Sequence, residues 1–362
     1  MADARPDRIT AVRRWLVERR LDGLLVLSLP NVRYLTGFSG SNALLLITAH
    51  DAVLLTDFRY QSQAAEEVGA VARVRIEPTS LWEGLWGVLR ETPSVSLLGF
   101  ESEHASHRDF QRLVDEGERW SWRPMIDAVE SLRQRKDASE VEAIRGAIRA
   151  AERALDCTLR AIHAGMTEQQ VAGVLERNLR EAGSEGHPFP AIVATGERSA
   201  LPHARAGSRA IAQGDFLLLD FGATYGGYCA DITRTVVVGS ASARQREVYE
   251  AVLGANELAR QRVRAGLSGR EADAIAREYL AERGLGDAFG HSLGHGLGLE
   301  VHEAPRLSRT AEALLPVGAV VTIEPGAYFP GWGGVRIEDD VYLGASGAEV
   351  LTQFRRDLIE LG

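Results

Sequence analysis

Apolar residues recur along this chain with two periods. Ile9, Val12 and Leu16 follow steps of three and four and predict one face of an opening helix. Apolar runs at 24–27, 43–47, 52–55, 72–76 and 95–100 read as buried strands, the second and third split by a turn at His50-Asp51. Helical spacing returns at 60–68 and 81–89. Strands alternating with helices predict an α/β domain, assigned to residues 1–130, with no constellation of reactive side chains. A charged, Trp-containing stretch at 116–137 is read as the boundary, and 131–362 as the second domain.

The second domain opens on a long amphipathic helix. Val141, Ile144, Ile148, Ala151, Leu155, Leu159 and Ile162 share a face, with a capping box expected at Ser139 and Glu142 and an end at Gly165. An internal echo follows. Gly165-Met166-Thr167-Glu168-Gln169-Gln170 opens one helix and Gly266-Leu267-Ser268-Gly269-Arg270-Glu271 another, each with a hydroxyl cap and a Gln or Glu three residues later. Val174 then matches Ile275, and Leu179 matches Leu280. Each copy follows a long amphipathic helix (138–164 and 243–264) and precedes strands bearing acids. Two copies of helix, helix and strands predict a pseudo-twofold α+β domain, with an antiparallel sheet and helices on one side. Chance recurrence of caps and apolar periods is the competing explanation.

Composition adds exclusions. The 362 residues suffice for two domains, and 45% apolar with 25% charged residues is an ordinary globular mix. A net charge of -9 argues against nucleic acid and against a polybasic membrane site. Lys136 is the only lysine, the other cations being scattered arginines. Cys157 and Cys229 can pair, but reduced thiols are the simpler reading. Residues 1–15 are polar and Arg-rich without an apolar core, so no signal peptide is expected, and the cytoplasm is the expected compartment. No apolar run approaches the ~20 residues of a membrane span.

The chemistry lies in the second domain. Phe216–Phe221 reads as an apolar strand carrying Asp220, and Tyr228–Thr235 as a second carrying Asp231. Two buried carboxylates facing each other across such a hairpin repel, and a divalent cation removes that penalty; alternatively, one of them caps a turn and faces water. The segment 290–305 then packs three histidines (His291, His295, His302) and four glycines into sixteen residues, in a chain with nine histidines. Glu324 follows the apolar run Val320-Val321-Thr322-Ile323, and Glu338 sits among Val335, Ile337 and Val341 at an expected strand position. An acid in such surroundings is costly unless paired or liganded, though simple alternation can also turn Glu338 to solvent. Four carboxylates with one or more imidazoles suit Mn, Co, Fe or Zn better than a thiolate site does. Neither a G-x-S-x-G elbow nor a Walker A run is present.

In this order and with these local sequences, Asp220, Asp231, His295, Glu324 and Glu338 resemble the ligand set of the pita-bread metallopeptidases, over roughly 137–362. The resemblance implies two divalent ions, manganese first with cobalt or zinc as alternatives. It makes Asp231 and Glu338 bridging ligands and gives Glu324 a second role as proton shuttle. His291, His302 and His203, the last in Ser199-Ala200-Leu201-Pro202-His203, match the family's catalytic and substrate-contacting histidines. Arg336 is placed to neutralise the carboxylates and contact substrate, while His187 has no counterpart and reads as a loop histidine. Residues 31–40 and 56–60 look like the N-terminal domain of short bacterial aminopeptidase P-like proteins. The implied activity is cleavage of the bond between an N-terminal residue and proline, on peptides with proline second, by a homodimer. A strict Xaa-Pro dipeptidase of prolidase type is the alternative, and Arg306 stands where some prolidases hold a dipeptide's carboxylate; a solvated loop arginine is the bland reading of it. A metal-free creatinase-like hydrolase and a non-catalytic peptide-binding protein are disfavoured by the complete ligand set.

Overall fold

The computed structural model describes residues 3–362. The chain divides into two compact units, Met1–Arg133 and Gln134–Gly362. The first runs α1 (Arg5–Arg19), β1 (Gly23–Val26), α2 (Leu29–Thr36), β2 (Ala43–Thr48), β3 (Ala52–Asp57), α3 (Gln61–Val68), β4 (Arg73–Glu77), α4 (Leu81–Glu91), β5 (Leu97–Glu101), α5 (His107–Asp115), β6 (Ser121–Met125) and α6 (Glu130–Arg133). Its sheet has the order β4-β3-β2-β1-β5-β6, and only β2 runs against its neighbours. Strands β1 and β2 are buried along their whole length because residues on both sheet faces meet packing partners. On one face Leu25, Leu44, Leu46, Val53 and Leu55 pack under Trp82, Leu85 and Leu89 of α4.

The division between the units falls within 116–137. The part of 116–137 that precedes Arg133 is not linker: it holds β6, paired with β5, and its Trp120 ring stacks on Trp86 at 5.7 Å. Helix α2 fills part of 31–40, opened by a Pro in its first turn and closed by Gly37 at φ 82°.

The second unit continues with α7 (Ala138–Leu159), α8 (Glu168–Glu181), β7 (Ile192–Thr195), β8 (Phe216–Tyr225), β9 (Tyr228–Val238), α9 (Ala243–Arg262), α10 (Gly269–Ala281), β10 (Gly294–Gly296), β11 (Glu303–Leu307), β12 (Val320–Ile323), β13 (Gly326–Phe329), β14 (Gly333–Arg336), β15 (Asp339–Gly344), β16 (Gly347–Val350) and β17 (Glu360–Leu361). The α7 cap lies two residues ahead of the expected one. The Asp137 carboxylate accepts from the Ser139 and Glu140 amides, and the Glu140 carboxylate accepts from the Asp137 amide. The helix also stops at Leu159, so Gly165, at φ 93°, makes the turn into α8 instead of ending α7.

The internal echo is carried to the level of single hydrogen bonds. Gly165 N donates to Ile211 O and Gly266 N to Leu315 O; Ile211 N returns to Met166 O and Leu315 N to Leu267 O. Glu168 N donates to Arg209 O as Gly269 N does to Ala313 O, and Gly214 N to Val238 O as Gly318 N does to Leu343 O. Continued at the same offset, Asp220 falls in register with Glu324. The strands form two main sheets, β17-β9-β8-β7 and β11-β10-β12-β15-β16, with β13-β14 as a separate ribbon. All pairings are antiparallel except β17 beside β9. Leu217, Leu219, Phe221, Ile232 and Val236 pack against α7 and α8, and Val321, Ile323, Val341 and Leu343 against α9 and α10. By strand alternation Asp220, Asp231 and Glu324 therefore project from the opposite, helix-free faces.

Candidate metal centre

Asp220 and Asp231 share a face but are not directly opposed: Asp220 pairs with Thr233 and Asp231 with Gly222, one pleat along. The β12–β15 ladder stops at Ile323 opposite Asp339, one residue short of Glu324 and Glu338. Glu338 thus lies in the bend between β14 and β15, not inside a strand, with its amide donating to Thr233 O and its Oε2 accepting from Thr233 Oγ1 at 2.6 Å. It is 2% exposed, which rejects a solvent-facing role. His295 sits on β10 with its amide donating to Thr322 Oγ1. Its Nε2 lies 3.4 Å from Glu324 Oε1 and 3.8 Å from Asp231 Oδ2. Ligand atoms of Asp231, His295 and Glu338 all fall within 4.8 Å of one another.

The electrostatics show what this cluster lacks. Burial, then the neighbouring Glu338 and Asp220 charges, drive the Asp231 carboxyl well above its ordinary range. Burial and the facing Glu324 do the same to Glu338, and burial lifts Glu324 to about 8. Burial also holds His295 and His291 neutral, near 4, as imidazoles fit to donate a lone pair. Four carboxylates face one guanidinium, that of Arg336, which is buried and bonded to Asp220, to the Tyr328 hydroxyl and to Thr233 Oγ1. Among the described residues, Asp231 Oδ1 is a buried oxygen with no hydrogen-bond partner. Excess buried negative charge, an orphan carboxylate oxygen and a neutral imidazole fit divalent cations.

The remaining predicted residues lie around this cluster at different depths. His291 sits between Tyr328, whose hydroxyl is 2.9 Å from Nε2, and Glu324, whose Oε2 is 4.0 Å from Nδ1. His302 is exposed, with its ring centroid 4.3 Å from that of His295. His203 is exposed, and the preceding Pro202 carbonyl accepts from Arg336 at 3.4 Å. Arg306 is exposed on β11, directly opposite His295, so both side chains leave the same face. His187 is exposed and belongs to no metal-ligand group found among the described residues.

Sequence reasoning missed the supports. Tyr328 is one: burial raises its hydroxyl to about 12, and it bridges Arg336 and His291. Asp340 accepts from the Asp231 amide at 3.1 Å. Arg234, 1% exposed, donates to the carbonyls of Thr233 and Glu338 and to Asp339. The one available signal was the pair Asp339-Asp340 opening an apolar strand.

This is the centre of a metal-dependent hydrolase assembled from two related halves. The chain belongs to metallopeptidase family M24, whose model matches residues 142–345, and the creatinase/prolidase N-terminal domain matches 8–135. An uncharacterized peptidase of Bacillus subtilis, YqhT, is 40% identical, with 94% of this chain and 96% of that one covered. An Xaa-Pro dipeptidase from Bacillus anthracis superposes with a TM-score of 0.94 at 39% identity, over 98% of this chain and 99% of that one. An X-Pro aminopeptidase from Thermotoga maritima does so with 0.90 at 38%, over 97% and 99%.

Proposed function

We propose that the protein hydrolyses the bond between an N-terminal residue and a following proline, with two divalent ions held by Asp220, Asp231, His295, Glu324 and Glu338. The observation that carries the metal reading is the buried excess of carboxylate charge around a neutral His295. The specificity is supported by relatives named for Xaa-Pro cleavage. Bound there, the ions would supply the charge that lets water ionise near neutral pH and that polarises the scissile carbonyl.

The chain's own groups do the rest. Asp231 and Glu338, buried and each tied to the opposite half by a backbone hydrogen bond, would serve both ions. Glu324 takes a proton from the attacking water and returns it to the departing proline nitrogen. Arg336 offsets the carboxylate charge from beneath, as a support for the pocket that binds substrate. His203 and His302, exposed at the rim, contact the peptide, and His291 orients Glu324 and Tyr328. Manganese is the proposed metal, with cobalt or zinc also suited to these ligands. A homodimer in the cytoplasm is the proposed assembly and compartment; no helix among the described residues is long and apolar enough to cross a membrane. The complete donor set favours catalysis over a peptide-binding role without chemistry.

The reading is tested by chelation and by Asp231→Asn. Dialysis against a chelator abolishes Xaa-Pro cleavage and Mn²⁺ or Co²⁺ restores it, while Asp231→Asn purifies without either ion. Full activity in metal-free protein would overturn the assignment, and wild-type metal content in Asp231→Asn would overturn its bridging role. A second reading, strict dipeptidase, is favoured by one observation: Arg306 stands opposite His295 on the site face of β11.

A further inference from the structure

The one lysine of the chain is buried within the catalytic unit. Lys136 has a side chain only 1% exposed, and its Nζ lies 2.5 Å from Glu303 Oε1, itself on a side chain 7% exposed. An ammonium and a carboxylate taken this far from water offset each other's cost of burial. The lysine is presented from a fixed point. Its amide donates to Gly318 O at 2.8 Å, and the next residue, Asp137, is locked as the α7 N-cap. The receiving side is shaped to match. A Cβ on Gly298 would come 2.6 Å from Glu303 Oε1, so glycine leaves the room the carboxylate occupies.

Glu303 follows His302 directly and opens β11, three residues ahead of Arg306. It pairs with Gly296 where the β10–β11 register shifts, so the ladder is locally interrupted between Arg306 and Glu303. We propose that Lys136 is a positioning residue: by clamping Glu303 it fixes the start of β11 and aims His302 at the peptide. This rests on the reading of His302 as a substrate-contacting group. The ion pair holds β11 on the far side of that interruption from the His295–Arg306 pair.

The test uses K136M, H302A and the double variant in the metal-loaded enzyme, with a tripeptide carrying proline second. K136M retains its metal content and loses about 10²-fold in kcat, the cost of a small misplacement near the chemistry, with KM changed less. H302A/K136M turns over no more than about twofold slower than H302A, because both changes remove the same contribution. Independent of turnover, carbethoxylation of His302, followed by peptide mass spectrometry, runs faster in K136M than in wild type. Should loss of the ammonium prevent folding of K136M, K136M/E303Q removes both charges and takes its place in the same cycle. Multiplicative losses in the cycle with an unchanged His302 modification rate would overturn the proposal and leave Lys136 a purely structural residue. Wild-type turnover in H302A would overturn the reading of His302 itself, whatever K136M does.

Discussion

At the residue scale, the four proposed acidic ligands stand out in the sequence because each follows or sits in an apolar run where burial without a partner is costly, and His295 stands out through the histidine-rich segment 290–305. Their supports do not. Thr233, Tyr328, Arg234 and Asp340 act through contacts with residues distant in sequence, and apart from the Asp339-Asp340 pair nothing local distinguishes them from core residues. Glu324 is proposed to move a proton as well as bind metal. Glu324→Gln should therefore lower kcat by about 10²–10⁴-fold, the range for a positioned acid–base group, with KM changed less. A rise in KM alone would refute the proton-transfer role. Arg306 is expected to separate the two specificities. Xaa-Pro dipeptides are cleaved, and Xaa-Pro-Yaa tripeptides at least comparably. If Arg306 grips the dipeptide carboxylate, Arg306→Ala costs ~1.5–3 kcal/mol of kcat/KM on dipeptides and leaves tripeptides nearly unchanged. Equal losses on both would reject the clamp, and failure of the wild type on every tripeptide would make it a strict dipeptidase.

At the element scale, the helices and strands of both units follow the apolar periods closely, and the errors fall at ends and short pieces. The α7 box was misplaced because Asp137-x-x-Glu140 and Ser139-x-x-Glu142 both match the capping pattern in sequence. Only the three-dimensional path shows which pair closes: the Asp137 carboxylate takes the Ser139 amide itself. The boxes at Thr167 and Ser268 formed where the repeat placed them, each with its N3 partner, Gln170 or Glu271. Equivalent caps predict equivalent costs. Thr167→Ala and Ser268→Ala should each remove ~1 kcal/mol and lower Tm by about 2–4 °C, with kcat/KM unchanged. Differential scanning calorimetry on the two variants checks this; a loss confined to one would show that the copies have diverged in energetics while keeping their geometry.

At the scale of the whole molecule, the two-unit α/β plus α+β architecture was legible from the periods and the echo, whereas the meeting of the acids depended on pairings between halves that no local pattern specifies. The same meeting makes stability depend on pH in the metal-free protein. Glu324 has its carboxyl raised from 4.5 to about 8, so its folded form holds a proton that the unfolded chain releases. Its contribution is full below the unfolded value and is lost as pH rises toward 8. The buried imidazoles of His291 and His295 oppose this only below their unfolded value of 6.5, where the unfolded chain takes up protons. Between pH 6.5 and 8, chelator-treated protein should thus lose about 1–2 kcal/mol as pH rises. Thermal melts in chelator and in Mn²⁺ test this: the slope should vanish with metal, and a flat metal-free profile would contradict the burial of Glu324. The register that relates Asp220 to Glu324 also sets an order of events during synthesis. Asp220 and Asp231 leave the ribosome with the first half, while His295, Glu324 and Glu338 come with the second. A nascent chain therefore carries only part of the proposed metal shell while the second half is being made, and capture of the ions would mark the moment at which the two halves have found each other.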